Sequence, residues 1–545
     1  MSGADVPPSA AAGEPKTGAQ HRRPADEVKG RLSLFPGAFG ELAPHAVGRE
    51  PLAVIDIGSN SVRLVVFEGC TRHPQTLFNE KVLCGLGRGV GATGRMDRQA
   101  VDQAIATLQR YALLCQTMGV QAVEAVATAA VREAEDGALF VERVARETGI
   151  AVQILPGAEE ARLSALGVLS AFPDARGLMG DLGGGSLELA ELGDGGVGRQ
   201  ASLSIGSVRL KGRFGSDLEA TRAAVAAALD SVPWLVANDH EVVNFYAVGG
   251  AWRALARVMM AHEHAVLPIL QGFSVDGGRA RDLAQVIARQ EPESLARIPG
   301  VPAQRAELLP QAALVLDTLF ARLAPARFVV SAFGLREGLL FASLPQEERR
   351  ADPFLAACRD IARRHERFPA HAQALMTWIA PLYEGPDAPC ASESAAERRL
   401  REAAALLADI SWRGHPDFRA ERAVMEVLYG HFVGVTHAER AWLALALNTL
   451  YGASSSTSLA RLCRRLVDDE ARRRAEILGV ALRLAQRLSG GTREPLERTR
   501  LALINGRLVL SVKRGAECLV NDVVERRLAA LARRLDLEWG TTKEG

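Results

Sequence analysis

Apolar positions change their spacing along this chain, and each change marks a boundary. Through residues 1–49 they lie scattered among Pro, Ala and Gly without a period, which predicts a disordered arm. That arm also lacks the ~7–15-residue apolar centre of a signal peptide. At Leu52 the pattern sharpens. Leu52-Ala-Val-Ile-Asp-Ile57 is broken by Gly58-Ser59-Asn60 and followed at once by Val62-Arg-Leu-Val-Val-Phe67, two strands reversing through a polar turn. Asp97 then stands where a helix with apolar Val101, Ile105, Leu108, Tyr111, Leu114 and Met118 needs an N-cap. Strand and helix alternate further: strand Ala122–Ala127, helix to about Thr148, strand Val152–Leu155, helix Glu159–Ala171.

The series restarts at Gly177-Leu-Met-Gly-Asp-Leu182, which ends in Gly183-Gly-Gly185 and turns into a strand at Ser186–Glu191. Another strand is expected near Gln200–Ile205. Val242–Val248 and Arg327–Ser331 then each run through glycine into a helix. Two similarly built halves, residues 50–175 and 176–345, predict a duplicated α/β fold with a cleft between them. Beyond Pro345 the strand signals stop, and residues 350–490 carry helical periodicity. Residues 491–545 form a small α+β segment, with a hairpin at Asn505-Gly506 and a helix near Val523–Leu535.

Composition narrows the class. The 545 residues include 65 Lys plus Arg against 64 Asp plus Glu, so net charge favours neither nucleic acid nor an anionic membrane as partner. No apolar run approaches the ~18 residues of a membrane span. The 7 cysteines are scattered without a CxxC pair, which argues against a disulfide framework or zinc site and fits a reducing cytoplasm.

The candidate chemistry lies at the two turns. Gly58-Ser59-Asn60-Ser61 and Gly183-Gly184-Gly185-Ser186 offer backbone N–H groups and small side chains that let an anion approach. Asp56 and Asp181, at the ends of the strands before them, could hold a hydrated Mg²⁺. A metal between two phosphate-cradling turns suits phosphoryl transfer. No Walker A loop is present. Gly89-Val-Gly-Ala-Thr-Gly94 matches GxGxxG, but without the strand before it or the acidic residue after it that a dinucleotide site needs. It reads as a loop entering the Asp97 helix. Glu133 and Glu160 stand where loops meet helices; one could serve as general base and the other position metal or water, and spacing does not choose between them.

Asp56-Ile-Gly-Ser-Asn-Ser61, Ala127-Thr-Ala-Ala-Val-Arg-Glu-Ala134, Gly157-Ala-Glu-Glu-Ala-Arg162, Asp181-Leu-Gly-Gly-Gly-Ser186, Ala247-Val-Gly-Gly250 and Ser331-Ala-Phe-Gly-Leu-Arg-Glu-Gly338 occur in that order. Together they resemble the exopolyphosphatase/guanosine pentaphosphate phosphohydrolase (Ppx/GppA) family, over about Leu52 to Leu344. The resemblance implies an actin-like (ribonuclease H-like) two-lobed ATPase fold used for Mg²⁺-dependent hydrolysis of a terminal phosphate. It places Glu133 as the base and Glu160 as the second carboxylate beside metal and water. Asp56 and Asp181 become the metal-associated aspartates, and Gly58–Ser61, with Arg63, and Gly183–Ser186 the phosphate-binding loops. Arg209 and Arg336 are candidates for holding the distal chain. The implied substrate is inorganic polyphosphate, with guanosine pentaphosphate as the alternative, and a homodimer is implied as well. A sugar or acetate kinase of the same broad fold is disfavoured by the ordered Glu133 and Glu160 motifs. Longer members of the family carry an HD-type helical domain; here Leu406-Leu-Ala-Asp-Ile410 takes the place of the His-Asp doublet, and Ala408 removes the metal-binding His.

Overall fold

The computed structural model describes residues 50–544, apart from 237–242, 366, 369 and 455. The expected N-terminal arm therefore lies outside the described residues, as does Val242 at the start of one expected strand.

Two mixed sheets repeat one plan. The first has order β3-β2-β1-β4-β5, built from β1 (Leu52–Ile57), β2 (Ser61–Phe67), β3 (Thr76–Leu83), β4 (Ala122–Ala127) and β5 (Val152–Ile154). The second runs β10-β11-β9-β6-β7-β8, from β6 (Gly177–Leu182), β7 (Leu187–Gly193), β8 (Gly196–Leu203), β9 (Asn244–Val248), β10 (Ser274–Asp276) and β11 (Arg327–Val330). In each, three antiparallel strands join a parallel pair beside the first strand, so β1 pairs with β2 and β4 as β6 pairs with β7 and β9. β1 and β4 are apolar over almost every position because helices cover both faces. β3, an edge strand with alternating exposure, carried too weak an apolar signal to stand out in the sequence. β8 begins and ends earlier than expected, at Gly196 and Leu203.

The helices that frame the cleft are α1 (Arg98–Thr117), α2 (Ala129–Glu133), α3 (Gly157–Ala171), α4 (Ser207–Phe214), α5 (Gly250–His262) and α6 (Leu335–Ser343). Asp97 caps α1 by accepting from the Ala100 amide at 2.9 Å. Gly89–Gly94 is a single helical turn with left-handed glycines at both ends. The helix expected to run on from β4 to Thr148 breaks between Glu133 and Gly137, so α2 is one short turn. α3 and α6 cross between the halves. Ala165, Val168 and Leu169 of α3 pack against Met179, Ala190 and Tyr246 of the second sheet. Leu340 of α6, with Leu344 just beyond it, packs against Leu52, Val54, Val65 and Phe67 of the first. Gly338 of α6 lies against the α3 backbone, where a Cβ would sit 1.8 Å from the Leu163 carbonyl oxygen.

A third apolar core joins α7 (Pro353–His365), α8 (His371–Ile379), α9 (Ala395–Leu406), α10 (His437–Leu450), α11 (Asp469–Ser489) and α12 (Asp522–Arg534) to a small sheet. That sheet is the expected hairpin, β12 (Thr499–Ile504) with β13 (Arg507–Lys513), plus β14 (Glu538–Glu544) added parallel to β13. β14 is polar along most of its length and was not foreseen. The helical unit docks on the lobes through His73 Nε2 and the His431 carbonyl at 2.9 Å, and through Phe333, Ala171 and Val433. No helix among the described residues is long and apolar enough to cross a membrane.

Within it, Asp409 follows Ala408 at the expected position. Its carboxylate meets His371 Nδ1 at 3.2 Å, Arg367 Nε at 3.1 Å and Gln486 Nε2 at 3.2 Å. The Arg367 guanidinium lies 3.8 Å from the Trp412 ring centroid. An internal cation thus balances this carboxylate, which those partners hold below its usual range against the opposing effect of burial.

Candidate active site

Both glycine turns have the same backbone. The Gly58 amide donates to the Ser61 carbonyl at 3.0 Å, and the Gly183 amide to the Ser186 carbonyl at 3.0 Å. Each closes a hairpin whose last pair is Ile57 with Val62, or Leu182 with Leu187. Each is also braced from behind. The carbonyls of Ser59 and Asn60 accept from Gly87 (2.7 Å) and Gly85 (3.1 Å). Those of Gly183, Gly184 and Gly185 accept from Ser207 (3.1 Å), Val208 (3.0 Å) and Gly206 (3.1 Å). With their carbonyls so engaged, the turns have amides to present to an anion. The bracing segments need glycine for space: a Cβ at Gly206 would fall 2.4 Å from the Gly184 carbonyl, and one at Gly87 2.8 Å from Ser59 Cβ.

The turns meet. A Cβ at Gly185 would lie 2.6 Å from Ser59 Oγ and 3.0 Å from Ala129 Cβ. Ser59 Oγ is itself buried without a hydrogen-bond partner among the described residues, a donor waiting for an acceptor. Around this contact lies a cleft of 150 Å³ lined by Asp56, both turns, Glu160, Asp181 and Glu188, together with Arg63, Lys81, Arg253, Arg305 and Arg336.

Its carboxylates are unequal. Asp56 is bound by Arg336 Nη1 at 2.8 Å. Asp181 accepts from Ser164 Oγ at 2.8 Å, and burial pushes its carboxyl up, with the Asp56 charge adding to the effect. Glu188 is 1% exposed; burial, then Glu160 and Asp181, drive it well above its usual range, while Ser202 Oγ donates to it at 2.9 Å. Glu160 is buried in the first turn of α3 and pushed up to about 7, chiefly by desolvation and against the Arg132 guanidinium 2.8 Å away. The cations suffer the converse: burial first, then their neighbours, bring Lys81 down to about 8 and Arg63 to about 10.

The structure thus brings together the predicted Asp56, Gly58–Ser61, Arg63, Glu160, Asp181, Gly183–Ser186 and Arg336. It does not bring Glu133 with them. That residue lies outside the cleft lining, its carboxylate taken by Arg209 Nη2 and touched by Ser204 Oγ at 3.4 Å. Both candidate bases therefore carry a guanidinium partner, Arg209 at Glu133 and Arg132 at Glu160, and of the two it is Glu160 that lines the cleft. Asp56 lines the cleft with one carboxylate oxygen bonded to Arg336. Sequence reasoning missed Lys81, Arg253, Arg305 and Glu188. Glu188 carried a signal: it stands opposite Asp181 in the second hairpin, the place Arg63 holds opposite Asp56 in the first.

The profile of the Ppx/GppA phosphatase family matches residues 65–347, and that of the exopolyphosphatase C-terminal domain matches 354–536. Exopolyphosphatase 1 of Mycobacterium leprae is 30% identical over 309 residues, covering 54% of this chain and 90% of that protein. The yeast retrograde regulation protein 2 (Saccharomyces cerevisiae) is 26% identical over 353 residues, covering 58% and 59%. A crystal structure of an exopolyphosphatase from Cytophaga hutchinsonii aligns at a TM-score of 0.49 with 26% identity, over 54% of this chain and 97% of that one. With its two lobes and paired turns in place, the chain belongs to the Ppx/GppA phosphatase family.

Proposed function

We propose that this protein is an exopolyphosphatase that hydrolyses the terminal phosphoanhydride of inorganic polyphosphate. One observation carries the reading: Arg63, Lys81, Arg253, Arg305 and Arg336 converge on the cleft, and no aromatic side chain is among the described residues lining it. A row of phosphates satisfies such a lining, whereas a guanine base gains from stacking and has no ring here to stack on. The M. leprae relative's name agrees with this reading.

In this mechanism the terminal phosphate sits between the turns, where amides and Ser59 Oγ stabilise its non-bridging oxygens. Glu160 takes the proton of the attacking water. Its pKa of about 7 suits a base working near neutrality, and Arg132 orients it. Arg336 and Arg253 balance charge on the departing chain.

Mg²⁺ fits the acidic end of the cleft. Burial raises Asp181, Glu188 and Glu160; the Asp56 charge adds to this at Asp181, Asp181 and Asp56 at Glu160, and Glu160 and Asp181 at Glu188, a strain that a divalent cation would relieve. Among the described residues no three His, Cys, Asp or Glu form a ready-made ligand set. Asp181 and Glu188 would be the carboxylates to hold such an ion together with the substrate's phosphate. When bound, it supplies charge neutralisation at the transferring phosphoryl group.

The test is orthophosphate release from long-chain polyphosphate and from guanosine pentaphosphate under one Mg²⁺ condition. Release mainly from polyphosphate supports the proposal; release mainly from the nucleotide overturns the substrate assignment.

A further inference from the structure

Glu133 ends α2 in the first lobe, and Arg209 lies in the first turn of α4 in the second. Arg209 Nη2 holds the Glu133 carboxylate, while its Nε donates to the Gly185 carbonyl at 2.9 Å and its backbone amide to the Gly184 carbonyl at 3.0 Å. One side chain therefore ties a carboxylate of one lobe to the phosphate turn of the other. The preceding residue, Arg132, faces the other way, to Glu160 and the Leu155 carbonyl, both at 2.8 Å.

We propose that the Glu133–Arg209 pair is a latch between the lobes, which opens for substrate to enter; Glu133 is a positioning residue. The cleft it closes measures 150 Å³, below the ~300–1,000 Å³ of ordinary ligand pockets, and the two turns already touch within it. A chain of phosphates needs the lobes to part. The pair is built to yield: its side chains are 25% and 28% exposed, so water and salt reach it and it opens at little cost. The substrate named rests on the polyphosphate reading, but the latch does not.

Hydrogen exchange of the free protein decides it. Glu133→Gln, Arg209→Gln and the double variant are compared with the unchanged protein at residues 183–186 and 206–209. Each single substitution should speed exchange there by roughly 3–10-fold, and the double variant should match Arg209→Gln, which loses both the Glu133 contact and its own bond to the Gly185 carbonyl. Exchange like that of the unchanged protein, or effects that multiply, would overturn the latch. With long-chain polyphosphate, Glu133→Gln should raise kcat/KM about 2–5-fold, since more of the protein is open for binding. An unchanged kcat/KM, or a kcat loss of the ~100-fold order expected for a missing general base, would also overturn it. Faster, non-additive exchange in a protein that hydrolyses no polyphosphate would leave the latch standing and remove the functional reading.

Discussion

The two glycine turns share a backbone and differ in what flanks them. Across its hairpin, Asp56 faces Arg63 and is bound by Arg336; across the other, Asp181 faces Glu188, with Glu160 nearby. Duplication supplied two equivalent cradles, and side chains at matching places then gave one a basic surround and the other an acidic one. In the proposed mechanism a phosphoryl group held between them meets cations toward the chain it leaves and carboxylates toward the water that attacks, so that this asymmetry, rather than either turn alone, directs the chemistry.

The strongest attempt to break this division is Glu160→Gln on the acidic side. It should lower kcat by at least ~100-fold while polyphosphate binding persists. Only the deprotonated carboxylate accepts a proton, so kcat of the unchanged protein should fall as pH drops through about 7, and the residual activity of Glu160→Gln should lack that limb. A substituted protein with near-normal kcat would return the base role to another residue. Next is Gly206→Ala against Gly87→Ala. The first presses on the Gly184 and Gly185 backbone and should cost about 100-fold in kcat through misplacement of the acidic-side turn. The second meets mainly Ser59 and should cost about 10-fold or less; equal losses would show that the turns contribute alike.

On the basic side, Lys81→Met and Arg305→Met should raise KM for long polyphosphate by about 10-fold each, the worth of a charge-assisted hydrogen bond, with a smaller change in kcat. A change confined to kcat would place these cations at the reacting phosphate instead. The smallest effect is on stability. Glu160, Asp181 and Glu188 have folded pKa values above their unfolded ones, so the stability they provide is complete below the unfolded carboxylate range and lost as pH rises toward and through about 7. Mg²⁺ should therefore raise Tm by several degrees at pH 8 and little at pH 5. Equal shifts at both pH values would place ion binding away from these carboxylates.

Much of the polarity was visible in the sequence as motifs, because Asp-x-Gly turns and Glu-Glu at a helix start are local patterns. The two-sheet plan was legible for the same reason, as β1 and β6 each read as an apolar run ended by glycine. What could not be read was convergence. Lys81 reaches the cleft from an edge strand, and Arg305 from a separate short helix. Spacing left Glu133 and Glu160 as equal candidates, because sequence shows a carboxylate and not the guanidinium that comes to it, from Arg209 in one case and Arg132 in the other. β14 escaped notice because its place in the sheet comes from pairing with β13 and not from an apolar pattern of its own.

Asp409 in the helical unit is balanced by Arg367, a cation carried on the same chain, whereas Asp181 and Glu188 in the cleft accept from the hydroxyls of Ser164 and Ser202. A counter-charge that is part of the polypeptide cannot be stripped by a chelator or lost when free divalent ions run short. Under those conditions the helical unit keeps its shape and its grip on the lobes. On the proposed Mg²⁺ reading, loss of the ion would then stop turnover while the fold stays intact, and its return would restore activity without refolding.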